Sequence, residues 1–261
     1  MEDIMKTIVF DLDETLTESK ESLDAEMISL LGKLLATHSI AIVSNSSWKQ
    51  FQKQIVSCFE TDSSISLNNL YLLPSSGGSM YQTWSKYGWV STYQMRMSKR
   101  DTDRIEKVLE EAISESSFKQ PSKLWGKQIE ILDSQVVFSA LGQKAPIEEK
   151  ENYDPDLSKR TALAVTLQKK LSAYDVRITG TTSIEISLKG INKKFGIDEL
   201  MKRLHASKDD VLFIGTNISK SNSNYVAVEM GLNYTQVKDC EDTKRVIRSL
   251  LDQATLKEKT G

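Results

Sequence analysis

Short apolar runs alternate with amphipathic segments through the first part of the chain. The runs at Ile8–Phe10 and Ser39–Val43 each stop abruptly at polar residues, which is typical of buried strands in a parallel sheet. Between them, leucine and methionine residues recur at helical spacing over Ser22–Thr37 and predict an amphipathic helix. This order of strand and helix predicts a doubly wound, Rossmann-like α/β sheet. The same reasoning predicts further helices over 48–59, 194–204 and 242–253, further strands over 70–73, 210–215 and 234–237, a turn over 74–79, and a frayed tail from 254 onwards.

The middle of the chain follows a different pattern. Aromatic residues on both sides of Gly88 predict antiparallel strands within residues 80–96. Strands grouped with two helices then indicate an α+β insertion. We therefore predict a core domain of residues 1–82 and 188–261, with an inserted domain of residues 83–187. The predicted elements of the insertion are helices over 98–117 and 155–171, a hairpin of strands 128–132 and 135–140, and strands over 176–178 and 183–188.

Composition narrows the classes of function. The chain has 261 residues, of which 39% are hydrophobic and 27% charged, as in a globular protein with a substantial core. A net charge of −2 without a basic cluster argues against nucleic-acid binding. No apolar run approaches the ~18 residues of a membrane span, so we expect no membrane partner, and we expect no signal peptide. Two cysteines and two histidines are too few for a disulfide framework or a soft metal site. A reducing cytoplasm is the expected setting, and any metal is expected to be a hard ion bound by oxygen.

Two acids, Asp11 and Asp13, follow the first predicted strand. Carboxylates at the carboxyl end of such a strand lie in the crevice where open α/β sheets bind ligands. One carboxylate could attack phosphorus and carry a phosphoryl group, while the second moves a proton. The alternative is a turn followed by a helix N-cap, which the same residue types also favour.

Ser44 and Lys193 are two further candidates. Ser44 ends the second strand, where a hydroxyl and exposed backbone N–H groups could hold phosphate oxygens. Alternatively, it caps the helix that begins at Trp48. Lys193 could offset the repulsion between a nucleophilic carboxylate and a phosphate dianion. It could also be solvated surface, and Lys194 beside it leaves the choice open.

The run DLDETLT, residues 11–17, resembles the first motif of the haloacid dehalogenase (HAD) superfamily of phosphotransferases. The order of Asp-x-Asp, Ser, insertion, Lys and the strand DVLFIG is similar to that family's order of motifs. The placement of the insertion resembles the type IIB (C2B) cap. The stretches VSNSSW, NLYLLPSSGGSMY, FSALGQKAP, TGTTSIEISLKGINKKFGI and NSNYVAVEMG resemble the phosphomannomutase-like and sugar-phosphate-phosphatase branch.

The resemblance implies a HAD core with an inserted C2-type cap and Mg²⁺-assisted phosphoryl transfer on a phosphorylated sugar. It assigns the nucleophile of an aspartyl-phosphate intermediate to Asp11 and the general acid/base to Asp13. The implied phosphate-binding residues are Thr15, Ser44, Asn45 and Lys193. The implied metal ligands are Asp11, Asp13, Thr216 and Asn224, and the implied substrate residues of the cap are Ser183 and Glu185, the latter at a position where the family usually has Asp.

This sequence departs from the family pattern in its fourth motif. Thr216 and Asn224 stand where the family has two acids, and no acid occurs between Asp210 and Glu229. Because Mg²⁺ prefers oxygen sites with one or two carboxylates, the implied metal site is weakened. Of the four implied ligands, only Asp11 and Asp13 carry a carboxylate.

A second departure concerns the cap arginines that grip a distal phosphate in the mutases of the family. Leu132 and Gln143 stand at two of the expected positions, and Arg177 is a weak substitute. Three readings follow from the sequence. The first, which the sequence favours, is a phosphatase acting on a small sugar phosphate, and the second is a phosphohexomutase. The third is a catalytically impaired member that binds a phosphorylated ligand or a protein partner. The sequence does not indicate an oligomeric state.

Overall fold

The computed structural model describes residues 7–18, 20–60, 62–84, 88–115, 118–219 and 222–258. The chain divides into two compact units. Unit 1 comprises Met1–Tyr93 and Lys193–Gly261, and unit 2 comprises Gln94–Asn192. No helix within the described ranges is long and apolar enough to cross a membrane.

Unit 1 is built on a seven-stranded sheet in the order β11-β10-β1-β2-β3-β4-β5. The first five strands of this order pair in parallel, and β3 pairs with β4 in antiparallel fashion. The predicted doubly wound α/β core is therefore confirmed. The strands are β1 Thr7–Asp11, β2 Ser39–Val43, β3 Leu70–Leu73, β4 Ser79–Thr83, β5 Trp89–Gln94, β10 Val211–Thr216 and β11 Asn233–Val237.

The central strands are apolar because both faces of the sheet are covered. In β1, Ile8 and Phe10 belong to the hydrophobic cluster on one face, while Val9 belongs to the cluster on the other face. The helices of unit 1 are α1 Ala25–Leu35, α2 Trp48–Phe51, α3 Ser57–Phe59, α7 Lys193–Leu204, α8 Val226–Met230 and α9 Cys240–Glu258. A π-helical turn, Gln52–Val56, joins α2 to α3, and single 3₁₀ turns lie at Ser75–Gly77, Lys208–Asp210 and Ser223–Tyr225.

Unit 2 is an α+β unit, as predicted. Its four-stranded antiparallel sheet has the order β6-β7-β9-β8. Ile184 and Ile186 of β9 belong to the hydrophobic core of the unit, while the alternate residues Ser183, Glu185 and Ser187 lie on the other face. The elements are α4 Lys99–Glu115, β6 Ile129–Ile131, β7 Gln135–Ser139, α5 Ile147–Tyr153, α6 Ser158–Lys170, β8 Tyr174–Thr179 and β9 Ser183–Leu188.

The boundaries between the units differ from the predicted ones. They lie at 93/94 and 192/193 rather than at 82/83 and 187/188. The reason is that the strands around Gly88 extend the core sheet instead of opening the insertion. Tyr81 of β4 pairs with Leu72 of β3, and its ring stacks on Trp48 at 3.7 Å between ring centroids.

Two smaller predictions also need correction. The helix predicted to open with Pro155 begins at Ser158, and α5 was not predicted. The closing helix runs through Glu258, so the chain does not fray at 254. The predicted end of the helix at 116–117 lies outside the described residues.

Candidate active site

The carboxyl ends of three neighbouring strands of unit 1 form one edge of the sheet. Strand β1 ends at Asp11, which pairs with Val43 of β2, so Ser44 follows directly beside it. On the other side, Phe10 pairs with Ile214 of β10, and that strand ends two residues later at Thr216. This edge is where a parallel sheet offers a binding crevice.

Asp11 accepts hydrogen bonds on both carboxylate oxygens. The Nζ of Lys193 donates to Oδ1 at 2.7 Å, and the Nδ2 of Asn224 donates to Oδ2 at 2.8 Å. The Asp11 side chain is 14% exposed. Each carboxylate oxygen has two acceptor positions, and within the described residues these hydrogen bonds use one on each.

Lys193, rather than Lys194, is the cation of this site. Its side chain is 6% exposed, and its Nζ also donates to the Oδ1 of Asn224 at 2.7 Å. Lys194 is exposed. Lys193, Asp11 and Asn224 therefore form a closed triangle of hydrogen bonds, and the alternative of a solvated Lys193 is wrong.

Helix α7 carries Lys193 at its first residue, and a close backbone approach sets its position. A Cβ atom on Gly196 would lie 2.6 Å from the Cα of Gly77, a contact that real Cβ atoms essentially never make. Tyr93 donates a hydrogen bond to the carbonyl of Gly77 at 2.7 Å and holds the other side of this contact. The pair Gly77–Gly196 therefore positions Lys193.

We expect Gly196→Ala to destabilise the protein by about 1–3 kcal/mol, the usual cost of overpacking. The added methyl group forces α7 away from Gly77, so phosphate release should fall as well. Gly32→Ala is the matched control, because the three atoms nearest to its Cβ would all belong to the Ile65 side chain and none to the backbone. That substitution should be neutral or stabilising through helix propensity. Equal free energies of unfolding in urea for both variants would contradict the assignment.

The environment of Asp13 raises the pKa of its side chain. Burial raises the pKa of its carboxyl above the ordinary value, and the negative charge of Asp11 acts in the same direction. Hydrogen bonds from the Lys20 backbone N–H, at 3.0 Å, and from the Gln54 side chain oppose this rise without cancelling it. Asp13 therefore holds a proton to higher pH than an ordinary aspartate.

Ser44 is buried and does not cap the following helix. That cap is Ser47, whose Oγ accepts from the backbone N–H of Gln50 at 3.2 Å. The Oγ of Ser44 accepts from the N–H of Ser46, at 3.2 Å, and the carbonyl of Ser44 accepts from the N–H of Ser76, at 2.8 Å. The N-cap alternative for Ser44 is wrong.

Two other predicted phosphate-binding residues differ in their surroundings. Asn45 follows Ser44 at the strand edge and is half-buried. Thr15 is fully buried, and its Oγ1 accepts from the N–H of Thr216 at 3.2 Å. Thr15 therefore links the loop after β1 to the end of β10, and this contact gives no support to a phosphate-binding role.

The predicted cap residues lie together on the polar face of the unit 2 sheet. Ser183 shares a hydrogen bond with Ser139, with 3.1 Å between their Oγ atoms. Glu185 is buried, and one of its carboxylate oxygens lies 3.6 Å from the guanidinium of Arg177 on the neighbouring strand. Their roles toward a substrate stay predictions.

Comparison with known proteins assigns the family. Residues 8–218 match the family of haloacid dehalogenase-like hydrolases. The chain belongs to this family. No curated protein matches the sequence.

Solved structures with similar folds include family members. An IMP-nucleotidase from Plasmodium falciparum, bound to IMP, is 18% identical with a TM-score of 0.69, over 95% of this chain and 68% of that one. A Streptococcus mutans protein is 16% identical with a TM-score of 0.63, over 96% and 100%. A haloacid dehalogenase-like hydrolase from Bacteroides thetaiotaomicron is 14% identical with a TM-score of 0.58, over 94% and 99%. At these identities the similarity shows the fold alone.

The residues around Asp11 do not fit the magnesium ion that family membership implies. Asn224 must turn its Nδ2 toward Asp11, because the Nδ2 lies 2.8 Å from two acceptors, Asp11 Oδ2 and the carbonyl of Thr216, while Lys193 donates to the Oδ1. A hydrogen-bond donor thus occupies the position predicted for a metal ligand. Lys193 already balances the charge of Asp11. In the described residues, no group of three His, Cys, Asp or Glu side chains could hold a metal. The predicted metal set of Asp11, Asp13, Thr216 and Asn224 is therefore not supported.

Sequence reasoning missed three residues that shape this site. Gly77 and Gly196 set the position of α7, and Gln54 contacts the loop after Asp13. The glycines carry no special signal, because their contact joins distant parts of the chain. Gln54 does carry a signal, since it is a polar residue beside Ile55 and three residues after Phe51, on a predicted buried face.

Proposed function

We propose that this protein hydrolyses phosphate monoesters through a phosphoryl group carried on Asp11. The observation that carries the proposal is the accessible Asp11 carboxylate, oriented by Lys193 and Asn224, with Asp13, a carboxyl whose pKa is raised by burial, two residues away. Oriented carboxylates of this kind are typical nucleophiles of covalent catalysis.

The proposed reaction has two displacements. An oxygen of Asp11 attacks phosphorus, the bond between phosphorus and the ester oxygen breaks, and the leaving alcohol takes the proton of Asp13. A water molecule then attacks phosphorus and gives one proton to the Asp13 carboxylate. The bond between phosphorus and Asp11 breaks, which releases inorganic phosphate and restores both acids.

Lys193 supplies the positive charge that this reaction needs. Its Nζ lies 2.7 Å from Asp11, so it faces the oxygens of a phosphoryl group bound there and offsets their repulsion from the carboxylate. Ser44 and Asn45, at the neighbouring strand end, are the proposed contacts for the remaining phosphate oxygens. Magnesium dependence stays a prediction from the family resemblance, and none of these steps is routed through the ion.

A phosphorylated sugar is the proposed substrate class. It is supported by the sequence resemblance to the sugar-phosphate branch of the family. The IMP bound by the Plasmodium falciparum neighbour makes a nucleoside monophosphate the natural comparison substrate.

Hydrolysis is favoured over the mutase alternative by the contacts of Arg177. Its guanidinium donates to Asp175 at 2.7 Å, to Ser187 at 3.0 Å and to the carbonyl of Ile191 at 3.3 Å. These partners all lie within unit 2. They occupy the guanidinium of Arg177, which the sequence offered as a weak substitute for an arginine that grips a distal phosphate. Mutases need such a grip on the second phosphate, because the bisphosphate intermediate must turn without leaving.

We expect the protein to release inorganic phosphate from hexose monophosphates and not to interconvert the 1- and 6-phosphates. The test measures phosphate release and isomer composition over a panel of hexose 1- and 6-phosphates with IMP included, with and without Mg²⁺. Bisphosphate-dependent interconversion faster than hydrolysis would overturn the assignment as a phosphatase. Faster release from IMP than from every sugar phosphate would overturn the substrate class.

The third reading, a binding protein with impaired catalysis, is favoured by the neutral residues Thr216 and Asn224. Beryllofluoride, a mimic of the phosphoryl group on an aspartate, distinguishes this reading from an active phosphatase. Binding of beryllofluoride at Asp11 together with absence of turnover across the whole panel would support impaired catalysis.

A further inference from the structure

Gln54 is a polar residue buried in an otherwise apolar helix face. It is fully inaccessible to solvent and lies among Phe51, Ile55 and Phe59, which belong to the hydrophobic core of unit 1. Buried amides need hydrogen-bond partners, and a polar residue at such a position requires an explanation beyond packing.

The Gln54 side chain bonds to the segment that follows Asp13, and the backbone carbonyl of Gln54 also accepts from the Sγ of Cys58 in the next helical turn. Its side-chain Nε2 donates to the carbonyl of Glu21 at 2.8 Å, and its backbone carbonyl accepts from the N–H of Leu23 at 3.1 Å. The N–H of Lys20, in the same segment, donates to Asp13 Oδ1 at 3.0 Å. Gln54 therefore anchors the segment whose Lys20 N–H bonds to Asp13.

The Gln54 side chain also lowers the pKa of the Asp13 carboxyl, against the larger effect of burial. The orientation of the amide is set by the Glu21 carbonyl, to which only the Nε2 can donate. The Oε1 then has no hydrogen-bond partner in the part of the chain that the structure describes. An unsatisfied buried oxygen costs stability, so packing alone gives no reason for an amide at this position.

The helix is distorted at this residue. Gln54 is the middle residue of the π-helical turn Gln52–Val56. A π turn contains one residue more than an α turn, and such turns occur frequently at functional sites. Three successive residues, 54 to 56, are buried here, so the turn directs the amide inward together with two apolar side chains.

We propose that Gln54 is a positioning residue for Asp13, which holds the carboxyl group and the segment 20–23 in the orientation that delivers a proton to the leaving alcohol. This inference rests on the proposed function, in which Asp13 protonates that alcohol. Gln54 itself does not contact the reacting atoms.

A positioning role predicts a dependence on the leaving group. In the first displacement, the ester oxygen leaves with the electron pair of the broken bond and takes the proton of Asp13. A nitrophenolate is stable enough to leave without this proton, whereas a phenolate is more basic and needs it more. Phenyl phosphate and p-nitrophenyl phosphate are nearly alike in shape, so they differ mainly in this need.

The experiment compares kcat/KM for the two esters, because kcat/KM reports on steps up to the first irreversible one and excludes the attack of water. The variants are Gln54→Leu and Gln54→Met, which remove the amide. Met is included because its flexible side chain adapts to the site if Leu prevents folding. Gln52→Leu is the matched control, since Gln52 lies in the same π turn with an exposed side chain.

We expect kcat/KM for phenyl phosphate to fall about 10²-fold in the Gln54 variants, near the lower end for general-acid catalysis, and that for p-nitrophenyl phosphate to stay within about threefold. The Gln52→Leu protein should match the parent with both esters. An equal fall with both esters would mean a purely structural role, and no fall would mean no role; either overturns the inference.

Asp11→Asn, measured beside these variants, tests the proposed function separately from the positioning role of Gln54. If it retains activity with both esters, the proposed nucleophile is wrong and the proposed function fails. If it is inactive with both while the Gln54 variants lose both activities equally, only the positioning inference fails.

Discussion

Replacing Asp11 by Asn should lower phosphate release by at least about 10⁴-fold, as loss of a covalent nucleophile does in other enzymes. The amide has the same shape as the carboxylate but cannot form the phosphoryl intermediate. The fold should remain, because Lys193 keeps its 2.7 Å hydrogen bond to the Oδ1 of Asn224. An Asn at position 11 can also still accept from Lys193 through its own Oδ1.

The measurement is steady-state phosphate release together with the unfolding transition in urea. Asp209→Asn is the matched control, since Asp209 is exposed and makes the same change of charge. It should keep the parent's activity. Residual turnover of the Asp11→Asn protein above roughly a hundredth of the parent's rate would exclude Asp11 as nucleophile, since covalent catalysis leaves far less.

The double variant Thr216→Asp/Asn224→Asp should make both stability and turnover dependent on Mg²⁺. A carboxylate at position 224 replaces an N–H donor that lies 2.8 Å from Asp11 Oδ2. Two like charges at this separation repel by several kcal/mol at an effective dielectric constant of about 20. Without the ion, the variant should therefore unfold at lower temperature than the parent. With the ion, the carboxylates at 11 and 216, at the ends of β1 and β10, and at 224, in the turn Ser223–Tyr225, supply the anionic oxygens that Mg²⁺ prefers.

The variant and the parent are titrated with Mg²⁺ while the midpoint of thermal unfolding and the rate of phosphate release are followed. Asn68→Asp/Asn69→Asp is the control, because it adds the same two charges at exposed positions before β3. We expect Mg²⁺ to raise the unfolding midpoint and the rate of phosphate release in the site variant alone. The gain in rate should exceed the roughly 10–100-fold effect that is typical of residues contacting metal ligands indirectly. A parent that is already active at millimolar Mg²⁺, with no gain in the variant, would mean that other oxygens have replaced the lost acids.

The sequence predicted the strands of the core closely. Strands β2 and β3 begin and end at the predicted residues. Parallel strands covered on both faces are continuous apolar runs, and this pattern is local, so it can be read without knowing the partners. The acids and the serine at the strand ends were found for the same reason, because the carboxyl end of each run is visible in the sequence.

The domain boundary could not be read in this way. A hairpin around Gly88 has the same alternating pattern whether it extends the core sheet or opens an insertion. Only the pairing of Tyr81 with Leu72 assigns it to the core. The choice between Ser44 and Ser47 as helix cap likewise depends on which hydroxyl the backbone N–H of Gln50 reaches.

The chain by itself thus determined the order of strands and helices, the family resemblance and the candidate groups Asp11, Asp13, Ser44 and Lys193. Tertiary structure alone decided that Lys193 and not Lys194 contacts Asp11, that Asn224 donates to Asp11, and that Gln54 reaches the loop after Asp13. The physical reason is that periodicity records whether a residue is buried, but not which residue buries it. The contact between Asp11 and Asn224 spans 213 positions of the chain, and it exists only once the sheet brings β1 and β10 side by side.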